Sequence, residues 1–194
     1  MYVIEGISME KNKKGIILIA NYFEDTEAIA TVDVLKRAGI DVDFVSLEET
    51  KGIVTQYGLK IVCDFLLDEI EIKKYDFLVI PGGRAVLREL TNREDVKDII
   101  HHFAKGGKLV ATICAAPLLL GELGYLTEKN YTCFPGCEKN IIGGKKKALG
   151  VVVDDNFITA RSMAFSIEFA LTIVEYLLGK EKRKEIKKMV FGEE

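Results

Sequence analysis

The chain has 194 residues, of which 48% are hydrophobic and 29% are charged, and its formal net charge is −3. This length and composition are typical of one globular domain that buries its core without cross-links. No apolar run approaches the ~18 residues of a membrane span, and the net charge offers no basic surface for nucleic acid, so membrane and nucleic-acid partners are excluded.

The first 13 residues carry no element of the predicted fold. Glu5 and Glu10 interrupt the apolar stretch that a signal peptide would need, and Met9 opens a second plausible start. We therefore interpret residues 1–13 as a tail or a mis-called start and expect a single domain over residues 14–194. The expected compartment is the cytoplasm, where the four cysteines would stay thiols.

Short apolar runs alternate along the chain with segments of helical periodicity. Residues 24–38 have apolar side chains at helical spacing and stop at Gly39, whereas residues 51–62 show a hairpin pattern around Tyr57 and Gly58. Strands that alternate with helices predict an α/β fold with a mostly parallel sheet covered on both faces. The predicted strands are residues 15–20, 42–47, 76–80, 108–113, 151–153 and 157–159, and the later helices are residues 95–104, 115–123, 163–178 and 180–190.

Three loops follow predicted central strands, at residues 21–27, 81–84 and 114–117. In a doubly wound sheet, ligands bind outside the carboxyl ends of the strands, so we expect the functional site at these loops. The run of lysines at residues 145–147 is interpreted as a solvated turn rather than an anion site.

Cys114 stands where a buried strand turns into a helix, between the small residues Ala111 and Ala115. A sharp strand-to-helix turn with small neighbours is the geometry of a nucleophile elbow. The amino end of a helix would also stabilise the thiolate and lower the pKa of the thiol. The pattern therefore predicts a nucleophile, the alternative being an inert thiol in the core.

Backbone N–H groups and carboxyl groups are expected beside the sulfur. Gly82 and Gly83 permit close approach of the backbone, and their N–H groups with that of Ala115 would form an oxyanion hole. Glu24 and Glu27 share a face of the first helix, where a protonated carboxyl would donate a hydrogen bond to the thiolate. The alternatives are a plain turn and acids that complement the helix dipole.

The remaining candidate ligands predict neither a metal site nor a cysteine–histidine pair. The two histidines, His101 and His102, lie inside a helix and are interpreted as surface or packing residues. Cys133 and Cys137 lack the second pair that zinc needs, so either thiol is left as a candidate resolving partner for Cys114. We expect no metal and no organic cofactor.

Seven stretches of the chain together resemble the ThiJ/PfpI superfamily over residues 14–178. The resemblance implies a flavodoxin-like three-layer α/β/α sandwich that forms a homodimer or a higher homo-oligomer. The stretches are NYFEDTE (21–27), VDVLKRAGI (32–40), IPGGRA (80–85), ATICAAP (111–117), TCFPG (132–136), VVVDDNFITAR (151–161) and SIEFALTIVE (166–175).

By position, the resemblance implies two groups of site residues. Arg161 falls where the DJ-one (DJ-1) branch of the superfamily has an arginine near the site, and we expect Arg161 and Gly82 to bind substrate or an anion. The expected catalytic residues match the elbow cysteine, the glutamate beside it and the backbone donors: Cys114, Glu27 or less closely Glu24, Gly83 and Ala115.

Two positions separate this chain from the PfpI-type peptidases of the superfamily. Those peptidases have a histidine directly after the cysteine, where this chain has Ala115, and a glutamate from a neighbouring subunit, where this chain has Leu87. The chain therefore resembles the DJ-one/ThiJ branch more closely. It departs from that branch at Phe134 and near Tyr57, which align with a histidine and an anion-binding arginine.

Resemblance to the DJ-one/ThiJ branch implies a cysteine-dependent protein of stress protection. We expect a cofactor-independent glyoxalase or deglycase in which Cys114 attacks 2-oxoaldehydes or their adducts on protein amines. One alternative is a redox sensor or chaperone that works through oxidation of Cys114. Another is a PfpI-type intracellular peptidase, which the missing histidine disfavours. The expected partners are a small aldehyde or a glycated protein, and further copies of the chain.

Overall fold

The structure is a computed structural model that describes residues 12–193, so most of the predicted N-terminal tail, residues 1–11, lies outside the described residues. Eleven strands and six α-helices follow one another within the described range. The strands are β1 Lys14–Ile19, β2 Asp41–Ser46, β3 Gly52–Val54, β4 Lys60–Val62, β5 Phe65–Leu66, β6 Phe77–Ile80, β7 Leu109–Ile113, β8 Asn130–Tyr131, β9 Lys145–Lys146, β10 Val151–Asp154 and β11 Phe157–Ala160. The helices are α1 Asp25–Arg37, α2 Arg84–Arg88, α3 Glu94–Lys105, α4 Pro117–Glu122, α5 Ser166–Leu178 and α6 Lys180–Phe191. Short 3-10 turns lie at Leu67–Glu69, Ile72–Lys74, Leu90–Asn92, Cys137–Asn140 and Met163–Phe165.

A seven-stranded sheet forms the middle layer, with the strand order β10-β11-β7-β6-β1-β2-β5. Neighbouring strands run parallel, except that β10 pairs with β11 as an antiparallel hairpin. β6 and β7 are buried along their whole length, and β1 is buried from its second residue onward. Strands covered on both faces read as continuous apolar runs, so the prediction of a mostly parallel α/β sheet is confirmed.

Helices cover both faces of the sheet. α1, α5 and α6 pack on one face, where Val32, Phe169 and Ile186 belong to one buried apolar cluster. α3 and α4 cover the other face, where Ile100 and Leu119 belong to a second cluster. The prediction of a three-layer sandwich is therefore confirmed. Within residues 12–193, no helix has the length and apolar character required to cross a membrane.

The three strands that precede the predicted site loops are neighbours in the order β7-β6-β1. Ile80 pairs in register with Thr112, so the loops after β6 and β7 begin at the same height. β1 is also the topological switch point of the sheet. The next strand in the chain, β2, pairs with one edge of β1, whereas the later strand β6 pairs with the other edge. Ligands bind at such a switch point in open α/β sheets, and the fold therefore brings all three loops to one ligand-binding edge.

Three local predictions differ from the structure. The helix predicted over residues 163–178 begins at Ser166, after the 3-10 turn at Met163–Phe165. The helix predicted over residues 115–123 begins later, at Pro117, because residues 115 and 116 belong to the sharp turn after β7. The prediction of a turn at residues 145–147 is wrong. Two of these lysines form β9, which pairs in parallel with β8, and Lys145 makes an ion pair of 2.8 Å with Glu128.

Candidate active site

Cys114 adopts a left-handed backbone conformation, with φ of +65°, at the end of β7. A residue other than glycine in this region is strained, and such strain persists only where the surroundings hold it. The backbone N–H of Cys114 donates to the carbonyl oxygen of Ala160 at 2.8 Å, and its own carbonyl accepts from the N–H of Phe134 at 2.7 Å. The turn therefore has the geometry of a nucleophile elbow, held on both sides by backbone hydrogen bonds.

The Glu27 carboxyl group and the Cys114 side chain are neighbours on either side of Gly82, and the charge of Glu27 acts on the pKa of the thiol. Glu27 is only 1% exposed. Its Oε2 accepts a hydrogen bond of 2.7 Å from the N–H of Gly82, whereas its Oε1 has no N–H or O–H partner among residues 12–193. Burial raises the pKa of Glu27 from 4.5 to about 7, against the lowering effect of the Gly82 N–H. The carboxyl group is therefore able to hold or release a proton near neutral pH.

The expectation of a lowered thiol pKa at Cys114 is wrong. Burial raises the pKa of Cys114, and the negative charge of Glu27 raises it further, whereas the N–H groups of Ala115 and Gly83 act in the opposite direction. α4 is too short, at six residues, to offset this desolvation. The effect of Glu27 vanishes when its carboxyl group is neutral. Cys114 and Glu27 therefore titrate as a coupled pair, in which a neutral Glu27 carboxyl group removes one of the causes that raise the pKa of the thiol.

The backbone donors divide into two roles. The N–H groups of Gly83 and Ala115 lower the pKa of the Cys114 thiol, as expected of oxyanion-hole donors that stabilise negative charge beside a nucleophile. The N–H of Gly82 is instead taken by Glu27. The structure thus gives Gly82 a contact with the proton-carrying carboxyl group in place of the expected anion.

Gly82 separates the two reacting side chains with no room for a Cβ atom. A Cβ at this position would lie 2.7 Å from Cβ of Cys114 and 2.8 Å from Oε2 of Glu27. We expect Gly82→Ala to destabilise the protein by about 1–3 kcal/mol, because overpacking forces neighbouring groups to move. We also expect slower alkylation of Cys114 by iodoacetamide. Urea unfolding and the alkylation rate are the measurements.

Gly52 provides the matched control for this prediction, because a Cβ there would meet only Oγ1 of Thr50, at 4.0 Å. Gly52→Ala is expected to change neither quantity. Wild-type stability together with wild-type alkylation in Gly82→Ala would contradict the assigned role of Gly82.

Gln56 is a site residue that the sequence reasoning missed. Its side-chain amide donates to Oε2 of the buried Glu24 at 3.0 Å, and its Oε1 accepts from the N–H of Arg84 at 2.8 Å. The turn between β3 and β4 is therefore tied to the start of α1 and to the loop after β6. One feature of the sequence indicated that this turn lies near the site. Tyr57, next to Gln56, aligns near an anion-binding arginine of similar proteins.

A cavity of about 310 Å³ opens above Cys114. Its inner part is polar and contains Cys114, both glutamates and the backbone of Gly83 and of Ala115. Large, exposed apolar side chains surround its opening. The described residues that line it are Glu24, Glu27, Gln56, Tyr57, Gly83, Arg84, Leu87, Cys114, Ala115, Phe134, Cys137, Ser162 and Met163.

The two candidate resolving thiols have different positions. Cys137 lines the cavity of Cys114, whereas Cys133 is fully buried and burial raises its pKa to about 12. All four cysteines are free thiols. Of the two, Cys137 therefore has the better access to Cys114.

The other predicted ligands lie away from the cavity. Arg161 does not line it within the described range, and its guanidinium stacks on the ring of Phe165 at 4.6 Å. His101 hydrogen-bonds with the Tyr125 hydroxyl through Nδ1 at 2.6 Å, as a packing residue would. Residues 12–193 contain no group of three or more His, Cys, Asp or Glu side chains that could hold a metal ion.

Comparison with known proteins identifies one family over most of the chain. The family described as DJ-1/PfpI matches residues 13–176. The chain is 32% identical to "Glutathione-independent glyoxalase DJR-1.2" of Caenorhabditis elegans, over 93% of this chain and 97% of that protein. It is 36% identical to "Deglycase PfpI" of Pyrococcus furiosus, over 76% of this chain and 89% of that protein.

Other relatives differ in length. The chain is 34% identical to "Protein DJ-1 homolog B" of Arabidopsis thaliana over 95% of its own residues, but it spans only 43% of that protein. Among solved structures, Drosophila melanogaster DJ-1beta superposes with a TM-score of 0.87 at 32% identity, over 93% of this chain and 98% of that one.

Proposed function

This chain belongs to the DJ-1/PfpI family, and we propose that it converts 2-oxoaldehydes, or their early adducts on protein amines, into 2-hydroxy acids at Cys114. The observation that carries the proposal is the left-handed turn at Cys114 beside the buried Glu27 carboxyl group, which the N–H of Gly82 holds at 2.7 Å. We further propose that residues 14–194 act as one cytoplasmic domain within a homo-oligomer.

The first step begins when the Cys114 thiol gives its proton to the Glu27 carboxylate. The Cys114 thiolate adds to the aldehyde carbon of R–CO–CHO, and the carbonyl oxygen becomes an oxyanion that the two N–H groups stabilise. The Glu27 carboxyl group then gives its proton to this oxygen. The product is a hemithioacetal on Cys114 and an ionised Glu27.

The next steps move a hydrogen and release the product. The Glu27 carboxylate takes the proton from the former aldehyde carbon and returns it to the keto carbon, while the hydroxyl proton of the hemithioacetal passes to the former keto oxygen. The keto carbon thereby becomes R–CHOH, and the former aldehyde carbon becomes the carbonyl of a thioester on Cys114. Water hydrolyses the thioester to the 2-hydroxy acid and restores the thiol. The overall reaction is R–CO–CHO plus water giving R–CHOH–COO⁻ plus H⁺, with no external oxidant or reductant.

Two sets of observations favour this chemistry over peptide hydrolysis. A cysteine peptidase uses a histidine base beside the nucleophile, and no histidine is among the described residues that line the cavity. The relatives from C. elegans and P. furiosus carry the names glyoxalase and deglycase. Both support the proposed reaction class.

The proposal is tested by incubation of the protein with methylglyoxal without glutathione, with separate measurement of aldehyde loss and lactate formation. We expect lactate to appear in a one-to-one ratio with the aldehyde consumed. Aldehyde loss without lactate would mean adduct formation only, and unchanged aldehyde at high protein concentration would overturn the proposal.

A redox sensor is the second candidate, because the buried Glu27 carboxyl group lies beside Cys114. A neutral carboxyl group would donate a hydrogen bond to a sulfinate and stabilise it. Intact mass after treatment with two equivalents of peroxide, one for each oxygen atom of the sulfinate, separates the two functions. A sensor would gain two oxygen atoms at Cys114 and show no turnover of aldehyde.

A further inference from the structure

We infer that the substrate carries an apolar group larger than methyl on its keto carbon, and that this group binds at the mouth of the cavity among Tyr57, Leu87, Phe134 and Met163. This inference rests on the proposed function, since it specifies which 2-oxoaldehydes the same site accepts. These four residues are called the apolar rim below.

The apolar rim is composed of side chains from four separate segments. Tyr57 lies in the turn between β3 and β4, Leu87 on α2, Phe134 in the loop after β8 and Met163 at the turn before α5. Their exposed fractions are 72%, 60%, 47% and 51%. Single exposed apolar residues are ordinary, but four around one opening mark a surface that binds an apolar group.

The volume of the cavity favours a substituent larger than methyl. The cavity of about 310 Å³ exceeds the space that methylglyoxal would fill with its five non-hydrogen atoms. An aryl-substituted 2-oxoaldehyde is larger, with ten non-hydrogen atoms, and would extend to the apolar rim and displace water there.

The charges around the cavity disfavour an anionic substituent. The carboxyl groups of Glu24 and Glu27 line the floor, and Arg84 is the one cation among the described lining residues. Arg161, the expected anion-binding residue, stacks on Phe165 outside the cavity. A carboxylate on the substrate would therefore meet two carboxyl groups against one cation, whereas an apolar group avoids this unfavourable pairing.

The test compares kcat/KM for glyoxal, methylglyoxal and phenylglyoxal in the full-length protein. We expect kcat/KM to rise along this series, with phenylglyoxal at least ~10-fold above methylglyoxal, since each methylene-sized contact in an apolar pocket is worth about 10-fold or more. Leu87→Ser and Phe134→Ser should each reduce the value for phenylglyoxal by ~10-fold. The value for glyoxal should change less than about twofold.

Leu59→Ser is the matched control, because Leu59 is exposed on the same hairpin as Tyr57 but does not line the cavity. It should leave all three values unchanged. A flat or falling series, or equal losses for all three substrates in Leu87→Ser, would overturn the inference. A change of oligomeric state in Leu87→Ser with an unchanged substrate ratio would assign the apolar rim to a subunit contact and would also overturn it.

A second readout separates this inference from the proposed reaction. Cys114 is alkylated with phenacyl bromide and with iodoacetate, and each rate is divided by the rate for a free thiol. We expect a normalised preference for the aryl reagent that Leu87→Ser reduces. If this preference is present but no 2-oxoaldehyde is converted, the proposed function fails and the apolar specificity stands. If turnover is present without any preference, only the specificity fails.

Discussion

Replacement of Cys114 by serine is expected to reduce lactate formation from methylglyoxal by a factor on the order of 10³ or more. In the same surroundings a serine hydroxyl has a higher pKa than a thiol, so the Glu27 carboxylate removes its proton far less readily, and the hydroxyl is the weaker nucleophile. The change replaces one atom and keeps the backbone turn, so the variant should fold. Product formation per enzyme, measured at several enzyme concentrations, provides the test.

Cys63→Ser is the matched control, since it makes the same atomic change at a buried cysteine that does not line the cavity. Its turnover is expected to equal that of the wild type. Lactate formation in Cys114→Ser within tenfold of the wild-type rate would show that the sulfur is not the nucleophile. The thermal midpoint of the serine variant must be recorded alongside, because loss of folding would also abolish turnover.

The position of the site follows from the sequence because the relevant physics is local. Continuous apolar runs identify β1, β6 and β7 as strands buried on both faces, and parallel strands place their following loops on one edge. Cys114 could be located for the same reason, since an apolar run that ends in small residues and a proline predicts a sharp turn.

The energetics of the site do not follow from the sequence, because they depend on sums of opposing effects in three dimensions. The pKa of Cys114 was expected to fall at the start of a helix, yet burial and the neighbouring carboxylate outweigh the backbone donors. The contact between the Gly82 N–H and Glu27 depends on a distance of 2.7 Å across 55 residues. Two-residue strands such as β8 and β9 carry too few side chains to show any periodicity.

The second large effect is expected at Glu27, where substitution should affect activity and stability in opposite directions. Glu27→Gln keeps an oxygen to accept the Gly82 N–H but removes the group that carries the proton. We expect turnover to fall by ~10²–10⁴, the usual contribution of general acid–base catalysis. We expect the variant to be more stable than the wild type at pH 8.

The sign of the stability effect follows from the raised pKa. The folded state holds the Glu27 proton more tightly than the unfolded chain, because the pKa rises from 4.5 to about 7 on burial. This contribution to stability is fully present below pH 4.5 and is lost as the pH rises through about 7. A neutral glutamine has no such dependence, so the stability difference between variant and wild type should grow by about 3 kcal/mol between pH 4.5 and pH 8.

Urea unfolding of the wild type, Glu27→Gln and Cys114→Ser at pH values from 4.5 to 8 measures this effect. Cys114→Ser retains the Glu27 carboxyl group, so its stability should still decline as the pH rises. A decline in this variant would show that Glu27, and not the thiol, causes the pH dependence. Parallel curves for the wild type and Glu27→Gln would show that the pKa of Glu27 is the same in the folded and unfolded states. The carboxyl group would then be ionised at neutral pH, and the acid that the first step of the proposed reaction requires would be absent.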